Sequence, residues 1–104
     1  MHIIIPHRRS QDIDRAKAKG RVTVVFEGPV NPFDVQTLFQ QLSKAMTSTD
    51  TAKDYLLPMG SAVVNFLAGL AVGMKNPEKV KFLLHEAKTG TYKEVVLEIK
   101  RNGR

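Results

Sequence analysis

The stretch Tyr55-Leu56-Leu57-Pro58-Met59-Gly60-Ser61-Ala62-Val63-Val64-Asn65-Phe66-Leu67-Ala68-Gly69-Leu70-Ala71-Val72-Gly73 decides the fold of this 104-residue chain. A short apolar strand, Tyr55 to Leu57, runs through a Gly-Ser turn into a helix that is apolar on nearly every side. Ser61 is a good N-cap, and a helix opening there aims unpaired N–H groups beyond the carboxyl end of the strand, where phosphate or carboxylate is welcome. Gly60 and Ser61 read equally well as a tight turn and an ordinary cap. One face of the helix must pack on a sheet and another on something else, and Gly69-x-x-x-Gly73 permits close approach of a second backbone, so a dimer partner is expected.

Upstream, the polar run Thr47 to Thr51 ends a helix in which Val35, Leu38, Phe39, Leu42 and Met46 share one face, opposite Gln36, Gln40, Gln41 and Lys44. Asn31 is its expected N-cap, with Pro32 at the first helical position and Asp34 at the positive dipole end. Before it, Arg21-Val22-Thr23-Val24-Val25-Phe26-Glu27 is a near-continuous β-branched strand, expected at the centre of a parallel sheet. His2 to Pro6 reads as a shorter strand from which His7-Arg8-Arg9 emerge. Ser10 is expected to cap a short helix with Asp12 and Asp14 in its first turn, Lys17 and Lys19 in its last, and Gly20 as its stop. Ile13 is its one sizeable apolar residue, so the segment reads as a marginal helix or as a mobile basic arm.

Downstream, Lys75-Asn76-Pro77 stops the apolar helix. Lys79 to Glu86 and Tyr92 to Ile99 are strands joined around Lys88-Thr89-Gly90-Thr91, a terminal β-hairpin. Val95, Leu97 and Ile99 alternate with Glu94 and Glu98, the signature of an edge strand with one wetter face. Lys100 to Arg104 is expected to fray. Strand–helix–strand alternation predicts a single Rossmann-like α/β domain over residues 1–104, with a mainly parallel sheet, helices on its faces and the antiparallel hairpin at its end.

Sixteen Lys and Arg against ten Asp and Glu give a net charge of +6, which favours polyanionic partners, nucleic acid among them. Arg8, Arg9, Arg15, Lys17, Lys19 and Arg21 against Asp12 and Asp14 place four of those six charges in residues 1–21. The chain has no cysteine, so thiolate nucleophiles and cysteine-ligated metals drop out; this leaves the compartment open, with the cytoplasm as the default expectation. Ala62 to Met74, the longest apolar run, falls well short of the ~20 residues of a membrane span. Three histidines, at 2, 7 and 85, are too scattered for a metal site. Walker-type, G-x-G-x-x-G, H-E-x-x-H and G-x-S-x-G motifs are missing, which removes the common sequence-readable enzyme classes.

What remains are two loops at the expected carboxyl ends of parallel strands, Glu27 to Asn31 and Pro58 to Ser61, both feeding helix N-termini. Val24 to Leu38, together with Asp54 to Asn65 and the Lys79 to Ile99 hairpin, resembles compact CRISPR-associated Rossmann-like (CARF) domains and ring nucleases. The resemblance implies a homodimer that binds a cyclic oligoadenylate across its two-fold axis in antiviral signalling, with no cofactor. It would place Glu27, Gly28 and Asn31 in one ligand loop and Met59, Gly60, Ser61 and Asn65 in the other. In metal-independent ring opening the ribose 2′-hydroxyl attacks its own phosphate; Ser61 would serve the phosphate, and His7, Arg8 or His85 would supply proton transfer or charge. The alternative is a non-enzymatic nucleic-acid-binding or protein-interaction module using the basic amino-terminal segment.

Overall fold

The computed structural model describes residues 1–100. Eight elements follow one another: β1 (His2–Arg8), α1 (Asp14–Lys19), β2 (Arg21–Glu27), α2 (Val35–Ala45), β3 (Asp54–Leu56), α3 (Ala62–Gly73), β4 (Lys79–Glu86) and β5 (Thr91–Glu98). The strands form one sheet in the order β2-β1-β3-β4-β5. β1 is parallel to β2 and β3, β3 to β4, and β5 turns back antiparallel to β4. The expected mainly parallel α/β sheet with a terminal hairpin is therefore present. Its strand order is that of one of the two common doubly wound sheets.

The sheet is wound from its middle, and this corrects the expected place of Arg21–Glu27. That strand lies at a free edge, and β1 takes the centre. The reason is burial: Ile3, Ile4 and Ile5 are buried on alternate faces of β1, and each is worth about 1.5–3 kcal/mol when withdrawn from water. β2 is only half-buried along most of its length. Parallel crossovers are right-handed, so a chain that steps from β1 to β2 and then back to β3 must change faces. Accordingly α1 covers one face with Ile13 and Ala16 against Ile3, Ile5, Leu57 and Leu83. α2 and α3 cover the other, where Leu38, Leu42 and Met46 meet Val64, Leu67 and Ala71 over Ile4.

Two local boundaries differ from expectation. α1 opens at Asp14 with Ile13 in the cap position, not at Ser10, and it is a packed helix whose Arg15 guanidinium donates to the Gly90 carbonyl of the hairpin turn. α2 is capped at Asp34, three residues after Asn31. The Asn31 side chain instead accepts from the Phe33 N–H at 3.1 Å, a local turn that competes with helix. α3 does open after Ser61, whose hydroxyl accepts from the Val64 N–H at 3.4 Å. It ends before Asn76, which holds the left-handed φ of 58° that stops a helix. Of the stretch expected to fray, Lys100 to Arg104, residues 101–104 lie outside the described residues.

Candidate functional site

Reversal of direction between β1→β2 and β2→β3 leaves a crevice beyond the carboxyl ends of β1 and β3, the usual ligand position in such sheets. A cavity of about 270 Å³ lies there, lined by His7, Arg9, Pro29, Val30, Pro32 and Ser61. The structure thus brings His7, at the end of β1, to both glycine loops. His7 is 1% exposed. Its Nδ1 accepts from the Ser61 main-chain N–H at 2.7 Å, and its Nε2 lies 2.7 Å from the Gly28 carbonyl oxygen. A main-chain N–H can only donate and a carbonyl can only accept, so these partners assign the neutral ring with its proton on Nε2.

That arrangement bears directly on catalysis. His7 and Ser61 are neighbours, but the bond between them uses the Ser61 amide. The Ser61 hydroxyl is turned to the helix as a cap. Neither ring nitrogen is left to take a proton from a nucleophile, which a serine–histidine pair requires. His7 is a brace that ties the loop after β2 to the loop after β3.

The surrounding residues complete the brace. Gly60 has φ 77°, and a Cβ there would lie 2.5 Å from His7 Nδ1, so the ring occupies the space that a side chain at 60 would need. Gly28, at φ 80°, turns its carbonyl onto the ring and donates its N–H to the Arg8 carbonyl at 2.8 Å. The Asn65 amide donates to the Met59 and Ser61 carbonyls, each at 2.8 Å, fastening the turn to the first turn of α3. Its Oδ1 is buried with no partner among the described residues. Arg8 donates through Nε to the Gln11 carbonyl at 2.8 Å and pairs with exposed Glu27 at 3.3 Å. Asn31 is held in its own turn, beside the cavity-lining Val30 and Pro32. Among the described residues, Arg9 alone brings an unpaired positive side chain to the cavity.

The other histidines stand elsewhere. His85 stacks edge-on against Tyr92, ring centroids 5.4 Å apart, in the hairpin. His2 lies at the opposite end of β1, between Thr23 and Asp54. No cluster of three or more metal-ligating side chains occurs among the described residues.

Sequence reasoning missed His7 as a structural residue, although a signal was present: period two puts position 7 on the face of Ile3 and Ile5, toward the interior. A second feature is the outer surface of α3 and β5, whose α3 part is the second apolar face expected from the sequence. Phe66, Leu70 and Met74 form an exposed apolar ridge along α3, and Val95 and Leu97 are exposed on β5. Between helix and hairpin runs an apolar groove of about 180 Å³, with Gly69 and Gly73 on one wall and Phe82, Leu97 and Ile99 on the other.

Comparison with known proteins places residues 6–99 in one family model, that of the phage Pam3 gp32-like protein. The chain belongs to that family. No curated protein and no solved structure matches it. This membership overturns the resemblance to CARF domains and ring nucleases, and with it the readings of cyclic oligoadenylate binding, ring opening and CRISPR signalling. The geometry agrees with the correction, since the polar groups assigned to ligand loops in the family of resemblance are largely bonded to one another. No helix among the described residues is long and apolar enough to cross a membrane.

Proposed function

We propose that this chain is a non-catalytic protein-assembly module, acting in the cytoplasm through the outer face of α3 and β5. The observation that carries the reading is the apolar ridge and groove there. α3 has no charged residue in its twelve positions, yet Phe66 and Met74 are 68% and 75% exposed. Clustered exposed apolar side chains of this size beside an apolar groove are the mark of an interaction site. The strand-end crevice supports the same choice from the other side, because the His7 ring, the Ser61 N–H and the Asn65 amide N–H groups are spent holding its loops. The family's name places its founding protein in a phage, and a phage-encoded setting is part of the proposal.

A photo-crosslinking residue at position 70, compared with one at exposed Gln40 on α2, tests it in expressing cells. Discrete crosslinked species from position 70 and none from position 40 are expected. Equal labelling from both positions, or none from either, refutes the reading.

A further inference from the structure

We infer that the free edge of β5 takes a second copy of this chain, strand against strand, about a two-fold axis through Leu97. The inference rests on the assembly role just proposed and names one occupant for its surface. The Ile99 N–H donates to the Glu78 carbonyl at 2.8 Å, and the ladder runs in unbroken register from Lys79↔Glu98 to Glu86↔Thr91. In an antiparallel ladder every second residue bonds to one neighbour. Odd-numbered residues of β5 therefore face β4, and the N–H and C=O groups of Glu94, Val96, Glu98 and Lys100 point to the open side. β5 has no proline and no bulge, the devices that blunt an edge.

The charges choose the register. An antiparallel two-fold pairing keeps side chains on matching faces only when it is centred on a residue. Centring on Glu94 or Glu98 sets a carboxylate against its own copy, and centring on Val96 sets Glu94 against Glu98. Centring on Val95 forms no pair of opposite charges and puts Lys93 beside Leu97. Centring on Ile99 pairs Glu98 with Lys100 but takes Val95 and Leu97 away from apolar partners. Centring on Leu97 sets Glu98 beside Val96, but it places Glu94 opposite Lys100 of the other copy, twice, on the α1 face. On the α3 face it joins Leu97 to Leu97 and Val95 to Ile99. Glu98 and Lys100 have no ion-pair partner among the described residues, and Glu94 bonds only to the Tyr55 hydroxyl at 2.8 Å, which leaves a carboxylate oxygen open. The other free edge, β2, is a weaker candidate because none of its apolar side chains is among the exposed ones, whereas Val95, Val96 and Leu97 are 41–50% exposed. A two-fold axis perpendicular to the sheet keeps both copies of α3 on one side, so the dimer presents two grooves together.

Sedimentation equilibrium on the purified full chain tests this, with three variants. The wild type is expected to dimerise in the micromolar range. Val96→Pro removes only an N–H that faces outward, a position where an edge strand tolerates proline. It is expected to stay folded by circular dichroism and to sediment as a monomer. Lys100→Glu is expected to weaken the dimer about tenfold, since it turns two attractive exposed pairs into repulsive ones. Adding Glu94→Lys is expected to restore most of that loss. A wild type that is monomeric up to about 1 mM, a folded Val96→Pro that dimerises normally, or a double swap without recovery overturns the inference. Monomers that still crosslink from position 70 to another protein would overturn the pairing and leave the assembly reading standing; an intact dimer with no crosslinks from position 70 would strike the α3 reading alone.

Discussion

Replacing His7 by alanine tests the brace most directly. The ring accepts one main-chain hydrogen bond and donates another, both at 2.7 Å, in a position with 1% exposure. Without it the Ser61 N–H and the Gly28 carbonyl lose their partners, at about 1–3 kcal/mol for each group that water fails to reach. Loss of the buried ring adds a cavity term, so a total of about 3–5 kcal/mol is expected, a large share of the ~5–15 kcal/mol that holds a domain together. Urea titration should show the midpoint falling at unchanged slope, and a thermal melt should fall by roughly 12–30 °C. Amide exchange at Ser61 should accelerate more than exchange in the core of β1. His7→Asn can keep the acceptor toward Ser61 and His7→Gln the donor toward Gly28, so each should fall between alanine and wild type. If His7→Ala loses less than about 1 kcal/mol, the ring is not a brace and the argument against its catalytic use falls with it.

Three further outcomes are expected. Gly60→Ala should cost more than Gly28→Ala by urea titration: both pay about 1–2 kcal/mol for a side chain at positive φ, but only at 60 does the new Cβ meet the His7 ring, whereas Gly28 has open space around it. Ser61→Ala should lose the cap and about 0.5–2 kcal/mol while leaving the amide exchange that reports the His7 bond unchanged, because that bond uses the main chain. The Tyr55 hydroxyl donates to the Glu94 carboxylate, which raises its pKa above the ordinary 10.0, with desolvation and the carboxylate's charge acting in the same direction. A raised folded pKa stabilises below the unfolded value and is lost as pH climbs through the folded one, so the contribution should vanish only in strong alkali. An ultraviolet titration should show one of the two tyrosines ionising late, and Glu94→Gln should bring it back toward 10.0.

Much of the fold was legible because periodicity is local. The apolar run of α3, the amphipathic stripe of α2 and the alternation in β5 each declare themselves within a dozen residues. Strand order is not local. The β-branched runs of β1 and β2 look alike in sequence, and which one takes the centre depends on the faces that α1 and α2 cover, a contest decided by Ile13, Ala16 and Leu38 across the sheet. The start of α2 was misplaced because Asn31-Pro32 is an excellent cap on paper, yet Phe33 is 90% exposed and gives that first turn nothing to bury. The helix begins one turn before Leu38, the first of its residues to be buried. The two glycine loops do lie at the carboxyl ends of parallel strands, beside one crevice. Their role was not legible, because residue types alone do not show whether an N–H at a helix start is waiting for a ligand or already bonded to a histidine fifty-four positions upstream.

The brace also sets a rule for how sequences of this family are free to diverge. The ring at position 7 fills the volume that a side chain at 60 would claim, and it reads the orientation of two peptide groups that lie far apart in the chain. A lineage that first acquires a side chain at 60 pushes the ring off both peptides. One that first loses the ring gains room at 60 but leaves two loops untied. Neither order of change is neutral by itself, so positions 7 and 60 are expected to change together, and a relative that differs at one of them should differ at the other.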